Sequence, residues 1–291
     1  MIDSIRIVMK IEGAMDISKF SRRDILRLSA LATLAPASNV MAAPQKGSEK
    51  KGLAIAVKKN NRWNEKLAKL NCKWFYSWGA KRPNELPKGV DFKPMIWGYW
   101  GDKKGLLKRG EEAKAHGIKE LLGFNEPDKK NQSNISVEKA LRVWPILMET
   151  GLRLGSPAAV HPDGDWMQAF MAGVKKKGLR VDFVTVHSYG GPNAGHLVKR
   201  LEKVRKMYDK PLWITEFAVG DWNAKSPQAN KHKPEKVLKF MEQVIPRLNR
   251  LDFVERYAWF SVGQNSAPLG TSALFDKKGE LTRLGEFYRD A

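Results

Sequence analysis

From Gly52 to the end of the chain, short apolar runs alternate with stretches whose apolar residues recur every three or four positions. The short runs predict strands at 52–57 (GLAIAV), 73–78 (KWFYSW), 93–98 (KPMIWG), 119–125 (KELLGFN), 152–157 (LRLGSP), 182–188 (DFVTVHS), 212–217 (LWITEF) and 256–261 (RYAWFS). Several are apolar at consecutive positions, as strands covered on both faces should be. Helical spacing predicts helices at 64–70, 105–117, 136–150, 165–178, 194–208, 234–250 and 281–290. Ser136 is placed as an N-cap, Gly117 as a stop, Pro145 as a kink and Pro234 at a helix start. Residues 79–92, rich in Pro, Gly and Lys, carry no helix. Such alternation gives a parallel α/β architecture, and segment 52–291 is close to the ~250 residues of a single (β/α)8 TIM barrel. A doubly wound open sheet is the rival, but no Gly-rich phosphate loop follows the first strand.

The first 43 residues stand outside this alternation. Residues 21–43, SRRDILRLSALATLAPASNVMAA, pair two arginines with a modest apolar stretch and a small-residue ending. This is the pattern of a cleaved twin-arginine export signal, which places the protein in the periplasm or outside the cell. Arg27, Pro36 and Asn39 interrupt the apolar run, so a stable membrane span is not expected. Residues 44–51 are expected to be a short linker and 52–291 the catalytic domain.

Charge changes this picture little. The chain has 52 Lys and Arg against 31 Asp and Glu, and losing the six and four within residues 1–43 moves the formal charge from +21 to +19. The lysines are scattered along predicted helices, as at Lys175, Lys176, Lys177 and Lys199, without interleaved aromatics, and no nucleic-acid-binding module is expected. The single cysteine, Cys72, excludes an internal disulfide framework and reads as a buried thiol. The five histidines show no metal-binding spacing, so neither metal nor cofactor is expected. A monomer is expected.

The candidate chemistry lies at the predicted C-terminal strand ends, where a (β/α)8 enzyme keeps its site. These ends bring Trp78, Trp97, Asn125, Glu126, Ser156, His187, Tyr189, Glu216 and Trp259 to one cleft. Paired carboxylates are the minimum equipment for cutting a glycosidic bond, and indoles suit the flat C–H faces of sugar rings. Each residue also has a plainer reading: a solvated or helix-starting glutamate, a satisfied buried imidazole, an indole packed at the barrel top. Asp128 is read as a brace for the loop after Glu126, and Trp222, beside Asp221, as a residue that could line the cleft.

Four ordered motifs, GFNEPD at strand four, VDFVTVHSY at six, ITEFA at seven and ERYAWFS at eight, resemble glycoside hydrolase family 128. These are the Asl1-like proteins of bacteria and fungi, many of which act on β-1,3-glucan. The similarity runs from about Ala54 to Tyr288 and includes the closing LFDKKGELTRLGEFY. It implies a retaining (β/α)8 enzyme with Glu126 as acid/base, Glu216 as nucleophile and Asn125 near the sugar 2-hydroxyl. Trp78, Trp97, His187, Tyr189 and Trp259 are the further candidate substrate-binding groups. Phe124 and Ser188 stand where the family is expected to carry Trp. A retaining pair implies carboxyl groups roughly 5–5.5 Å apart, against roughly 6.5–9.5 Å for an inverting pair. The acid is expected to have a raised pKa from desolvation and the charge of Glu216. The leading reading is thus an endo-acting β-1,3-glucan hydrolase with a polysaccharide or oligosaccharide substrate. The alternatives are a retaining glycosidase for another polysaccharide, a non-catalytic glycan-binding protein on the same barrel, and, on charge alone, a nucleic-acid binder.

Overall fold

The computed structural model describes residues 48–291; the expected export signal and the start of the expected linker lie outside the described residues. Eight strands follow in chain order: β1 (Lys51–Ala54), β2 (Trp74–Tyr76), β3 (Asp91–Phe92), β4 (Glu120–Leu121), β5 (Arg153–Leu154), β6 (Val184–Gly190), β7 (Leu212–Val219) and β8 (Val254–Phe260). One sheet has the order β3-β2-β1-β8-β7-β6 and a second pairs β4 with β5, every pairing being parallel. Parallel bridges Met95↔Leu122 and Gly155↔Phe183 join the two sheets at both edges. The eight strands therefore close into a (β/α)8 barrel. Residue 51, assigned to the linker by its sequence, already belongs to β1.

The helices α1 (Trp63–Lys69), α2 (Lys103–Ala115), α3 (Val137–Glu149), α4 (Asp165–Lys176), α5 (Ala194–Tyr208), α6 (Pro234–Arg250) and α7 (Arg283–Asp290) connect the strands, with none between β2 and β3. Ser136 accepts from the Lys139 N–H as its sequence position predicts, and the structure adds caps by Asn193 on the His196 N–H and by Thr282 on the Gly285 N–H. Helix α3 continues through Pro145 without a break. The third strand, expected at 93–98, falls instead at Asp91–Phe92, and the ladder stops before Pro94, which has no N–H to donate. Its neighbours still lie alongside β4, with Leu122 N–H donating to Pro94 O and Ile96 N–H to Leu122 O.

Strand alternation sorts the core into two layers. Ala54, Trp74, Tyr76, Met95, Leu122, Phe183, Trp213 and Ala258 fill the barrel interior, where Trp213 stacks on Phe183 at 4.3 Å and tilts against Trp74 at 5.5 Å. Leu53, Phe75, Val184, Val186, Ile214, Phe217, Tyr257 and Trp259 face outward and meet the helices. Ion pairs close the N-terminal end. Arg153 makes a two-pronged bond to Glu255 at 2.7 and 2.8 Å, and buried Lys93 meets Glu120 at 2.8 Å. Buried Lys51 donates to the carbonyls of Tyr288, Arg289 and Ala291 at 2.7–2.8 Å, fixing the end of α7. Among the described residues no helix is long and apolar enough to cross a membrane.

Candidate active site

The two ends of the barrel differ in how their carboxylates are used. At the N-terminal end a cavity of about 530 Å³ is lined by Glu120, Arg153, Glu255 and their neighbours, whose acids are held by the ion pairs just described. At the C-terminal mouth, two buried glutamates instead face one another across a histidine.

Glu126 leaves the end of the β4 run with its backbone at φ +39°, a conformation that costs a non-glycine residue of order 1–3 kcal/mol. The surroundings hold it there. Asn125 N–H donates to Trp97 O at 2.9 Å, Glu126 N–H to Ala158 O at 2.8 Å, and Ile135 N–H to Pro127 O at 3.0 Å. Asp128 accepts from the N–H groups of Val160 and His161 at 2.9 and 3.3 Å, and so braces this loop to the one after β5.

Glu216 reaches the mouth through a β-bulge. Val186 pairs with Ile214 and His187 with Glu216, so Thr215 has no partner on β6. Trp213 points inward and Ile214 outward; regular alternation would send Glu216 outward to the helices. The extra residue restores the inward direction, as bulges beside functional sites commonly do. The Glu216 carboxylate then accepts from Tyr76 O–H at 2.5 Å, from Trp78 Nε1–H at 2.8 Å and from Tyr189 O–H.

His187 joins the two acids. Its Nδ1 lies 3.2 Å from Glu126 Oε1 and its Nε2 3.3 Å from Glu216 Oε1. One oxygen of each glutamate and a nitrogen of His187 all fall within 4.8 Å of one another. The same three groups could serve as ligands to a cation. However, Glu216 already accepts three donors and His187 Nδ1 is engaged by Glu126, so the arrangement is that of a hydrogen-bonded acid–base cluster. Burial pushes both Tyr76 and Tyr189 well above the ordinary phenol value, and the negative charge of Glu216 reinforces it. Both therefore stay neutral O–H donors toward Glu216.

The proton distribution differs from the sequence expectation. Burial alone would raise the Glu126 carboxyl, but the hydrogen bond and positive charge of His187, with Lys129 at 3.8 Å, outweigh it and leave the group lowered. Burial would likewise lower His187, yet the charge of Glu216 and the bond and charge of Glu126 leave it raised. Both shifts favour a proton on the imidazole over one on the Glu126 carboxyl.

The expected residues divide clearly. Asn125, Glu126, His187, Glu216, Tyr189 and Trp78 meet at the mouth, with Asn125 Nδ2 bonded to Gln132 and its Oδ1 buried without a partner. Trp97 is half-buried against the barrel-interior layer. Trp259 is not in the cleft. It is fully buried in the outer layer against Phe217 and Tyr288, and its Nε1–H donates to Ser272 O at 2.9 Å. The next residue, Phe260, points inward and touches Trp78 and Tyr189 at 5.7 and 5.5 Å between ring centroids. Trp259→Ala should therefore cost roughly 3–5 kcal/mol of stability, read by urea denaturation, while leaving KM of the folded enzyme unchanged. A KM effect without loss of stability would return Trp259 to the cleft. Phe124 is also buried in the outer layer, edge-on to Trp144 at 5.9 Å, so its exchange for Trp leaves the sugar-facing surface untouched. Tyr76 and Phe260 are site residues the sequence reading missed; Tyr76 shares the inward face of β2 with Trp78, and Phe260 follows Trp259 on the opposite face of β8.

A model of the family described as Glycosyl hydrolase catalytic core matches residues 52–288. Among solved structures, the chain is similar to a family 128 subgroup I endo-β-1,3-glucanase from Amycolatopsis mediterranei in complex with laminaritriose. Identity is 36%, covering 83% of this chain and 98% of that one, with a TM-score of 0.71. It is also similar to a subgroup III curdlan-specific exo-β-1,3-glucanase from Blastomyces gilchristii in complex with glucose, at 30% identity, 84% and 98% coverage and a TM-score of 0.66. Alkali-sensitive linkage protein 1 of Schizosaccharomyces pombe is 26% identical over 250 residues, 83% of this chain; the chain spans 44% of that protein's length.

Proposed function

The chain belongs to the glycosyl hydrolase catalytic core family, in glycoside hydrolase family 128, and we propose on that premise that it cleaves β-1,3-glucan with retention of configuration. It is an O-glycosyl hydrolase; the linkage, the stereochemistry and the residue roles are our reading. The observation that carries this reading is the approach of Glu126 and Glu216, with carboxylate oxygens within 4.8 Å. An approach this close suits direct attack by one acid, as in a retaining enzyme. The relatives described as β-1,3-glucanases, in complex with laminaritriose or glucose, support the choice of polymer.

In the proposed reaction Glu216, oriented by hydrogen bonds from Tyr76, Trp78 and Tyr189, attacks the anomeric carbon as Glu126 protonates the departing oxygen. The proton reaches Glu126 Oε1 from His187 Nδ1 across their 3.2 Å contact. With Glu216 esterified, Glu126 is an anion again and takes a proton from the incoming water. Asn125 Oδ1, buried beside the acid without a partner, is placed to accept from a sugar hydroxyl. We also read residues 21–43 as an export signal that delivers the enzyme to the periplasm or the exterior, on the sequence pattern alone.

The test is product release from a panel of β-glucans, with the anomer followed by early-time NMR. β-1,3-glucan should be cut in preference to β-1,4- and β-1,6-linked chains, with the β-anomer appearing first. The α-anomer appearing first would remove the nucleophile assignment, and preference for another linkage would remove the substrate.

A further inference from the structure

We propose that Trp100 and Trp222 are the outer sugar-stacking platforms of a cleft that crosses the barrel mouth, one on each side of the Glu126–Glu216 pair. The proposal rests on the β-1,3-glucan reading and extends it from the bond that is cut to the length of chain that is held.

Both indoles are left in solvent, Trp100 at 74% and Trp222 at 60% exposure, whereas most large apolar side chains of the described residues are buried. Neither hangs free. Trp100 follows β3, folds back across Gly98 and stacks on Trp97 at 5.8 Å and 14°. A Cβ at Gly98 would stand 2.6 Å from the Trp100 ring, so this glycine is what lets the indole lie down. Trp97, like Trp78, packs against the barrel-interior layer, and Trp78 bonds Glu216. On the other side, Trp222 meets Tyr189 edge-on at 5.8 Å and 75°, and Tyr189 bonds Glu216. The Trp222 loop is fixed by Asp221, whose buried carboxylate accepts from the N–H groups of Asn223 and Lys231 at 3.3 and 3.1 Å.

One pair of rings, Tyr189 and Trp222, leads outward from the Glu216 carboxylate, and a second, Trp97 and Trp100, leads outward from the interior layer on which Trp78 also rests. The loops that end them follow β3 and β7, four strands apart in a ring of eight, so they stand on opposite sides of the mouth. In each pair the inner ring is held in place and the outer ring keeps a face open to solvent. An oriented, exposed indole continuous with a catalytic cleft matches the C–H face of a pyranose ring. A chain lying on both platforms must pass over Glu126 and Glu216 between them, which is the geometry of internal cleavage.

The test compares Trp100→Ala and Trp222→Ala with the unaltered enzyme on laminaritriose, laminarihexaose and polymeric laminarin. Each variant should lose roughly three- to tenfold in kcat/KM on the long substrates, the range of one aromatic stacking contact. The losses on laminaritriose should be smaller than on laminarihexaose and laminarin, because a trisaccharide cannot rest on both platforms at once, and Trp100→Phe should restore most of the loss. Unchanged rates on every substrate, or equal losses on short and long ones, would overturn the proposal while leaving the β-1,3-glucanase reading intact. Retention on insoluble β-1,3-glucan is measured in parallel with both indole substitutions in a Glu126→Gln background, where weaker retention of each double variant supports the platforms independently of turnover. An unaltered enzyme that neither cleaves nor binds β-1,3-glucan would end the substrate reading and the platforms together.

Discussion

Replacing Glu216 by alanine should lower hydrolysis of β-1,3-glucan by on the order of 10⁴-fold or more, because the group lost is the one that forms the new bond. The same substitution leaves a small cavity bounded by Tyr76, Trp78, Tyr189 and His187, the four groups now clustered on the carboxylate. Azide supplied in solution can occupy that cavity and attack an aryl β-glucoside with a good leaving group. It enters from the face Glu216 occupied, the aryloxide departs from the opposite face, and the product is the α-glucosyl azide. Azide rescue giving the β-product, or a loss smaller than about a hundredfold, would place the nucleophile elsewhere. The assay needs only the purified variant and an NMR spectrum of the azide product.

How this carboxylate comes to face the cleft also marks the limit of what the sequence makes legible. Consecutive apolar residues are enough to find the strands, since a strand covered on both faces has no alternation to hide. Helix ends follow from Ser136 and Pro234, where cap chemistry is local. Polar residues ending apolar runs single out Glu126 and Glu216 without any knowledge of pairing. What is not local is direction. LWITEFAV contains no glycine or proline to announce the bulge at Thr215, and strict alternation would point Glu216 at the helices. The same parity reading correctly applied to β8 assigns Trp259 to the outer layer and Phe260 to the mouth; choosing the larger ring over the right face is what misplaced the site there. Tyr76, two residues before Trp78 on the inward face of β2, was legible by the same rule. The position of the shared proton was beyond any reading of the chain, because it depends on His187 lying within 3.3 Å of both acids.

That proton leads to the second large effect. Glu126→Gln should slow cleavage of natural glucan by about 10²–10⁴-fold, the usual worth of a positioned general acid. An aryl glucoside that needs no protonation should be spared in the first step and slowed in the second, so its glucosyl-enzyme accumulates and a burst of aryloxide appears. The pH dependence follows from where the proton rests. With His187 raised and Glu126 lowered, the cluster holds one proton at pH values below the folded imidazole value, and that proton passes from Nδ1 to Glu126 as the bond breaks. The cluster loses it as pH rises through the raised imidazole value, so the basic limb of kcat/KM should lie above about 6.5, the ordinary value for histidine. His187→Asn leaves the proton to Glu126 alone. A carboxyl ordinarily titrates near about 4.3, and even with burial raising it the basic limb should move to lower pH. A basic limb that stays in place in His187→Asn would mean that the leaving group is protonated without the imidazole, and would reduce His187 to a spacer between the two glutamates.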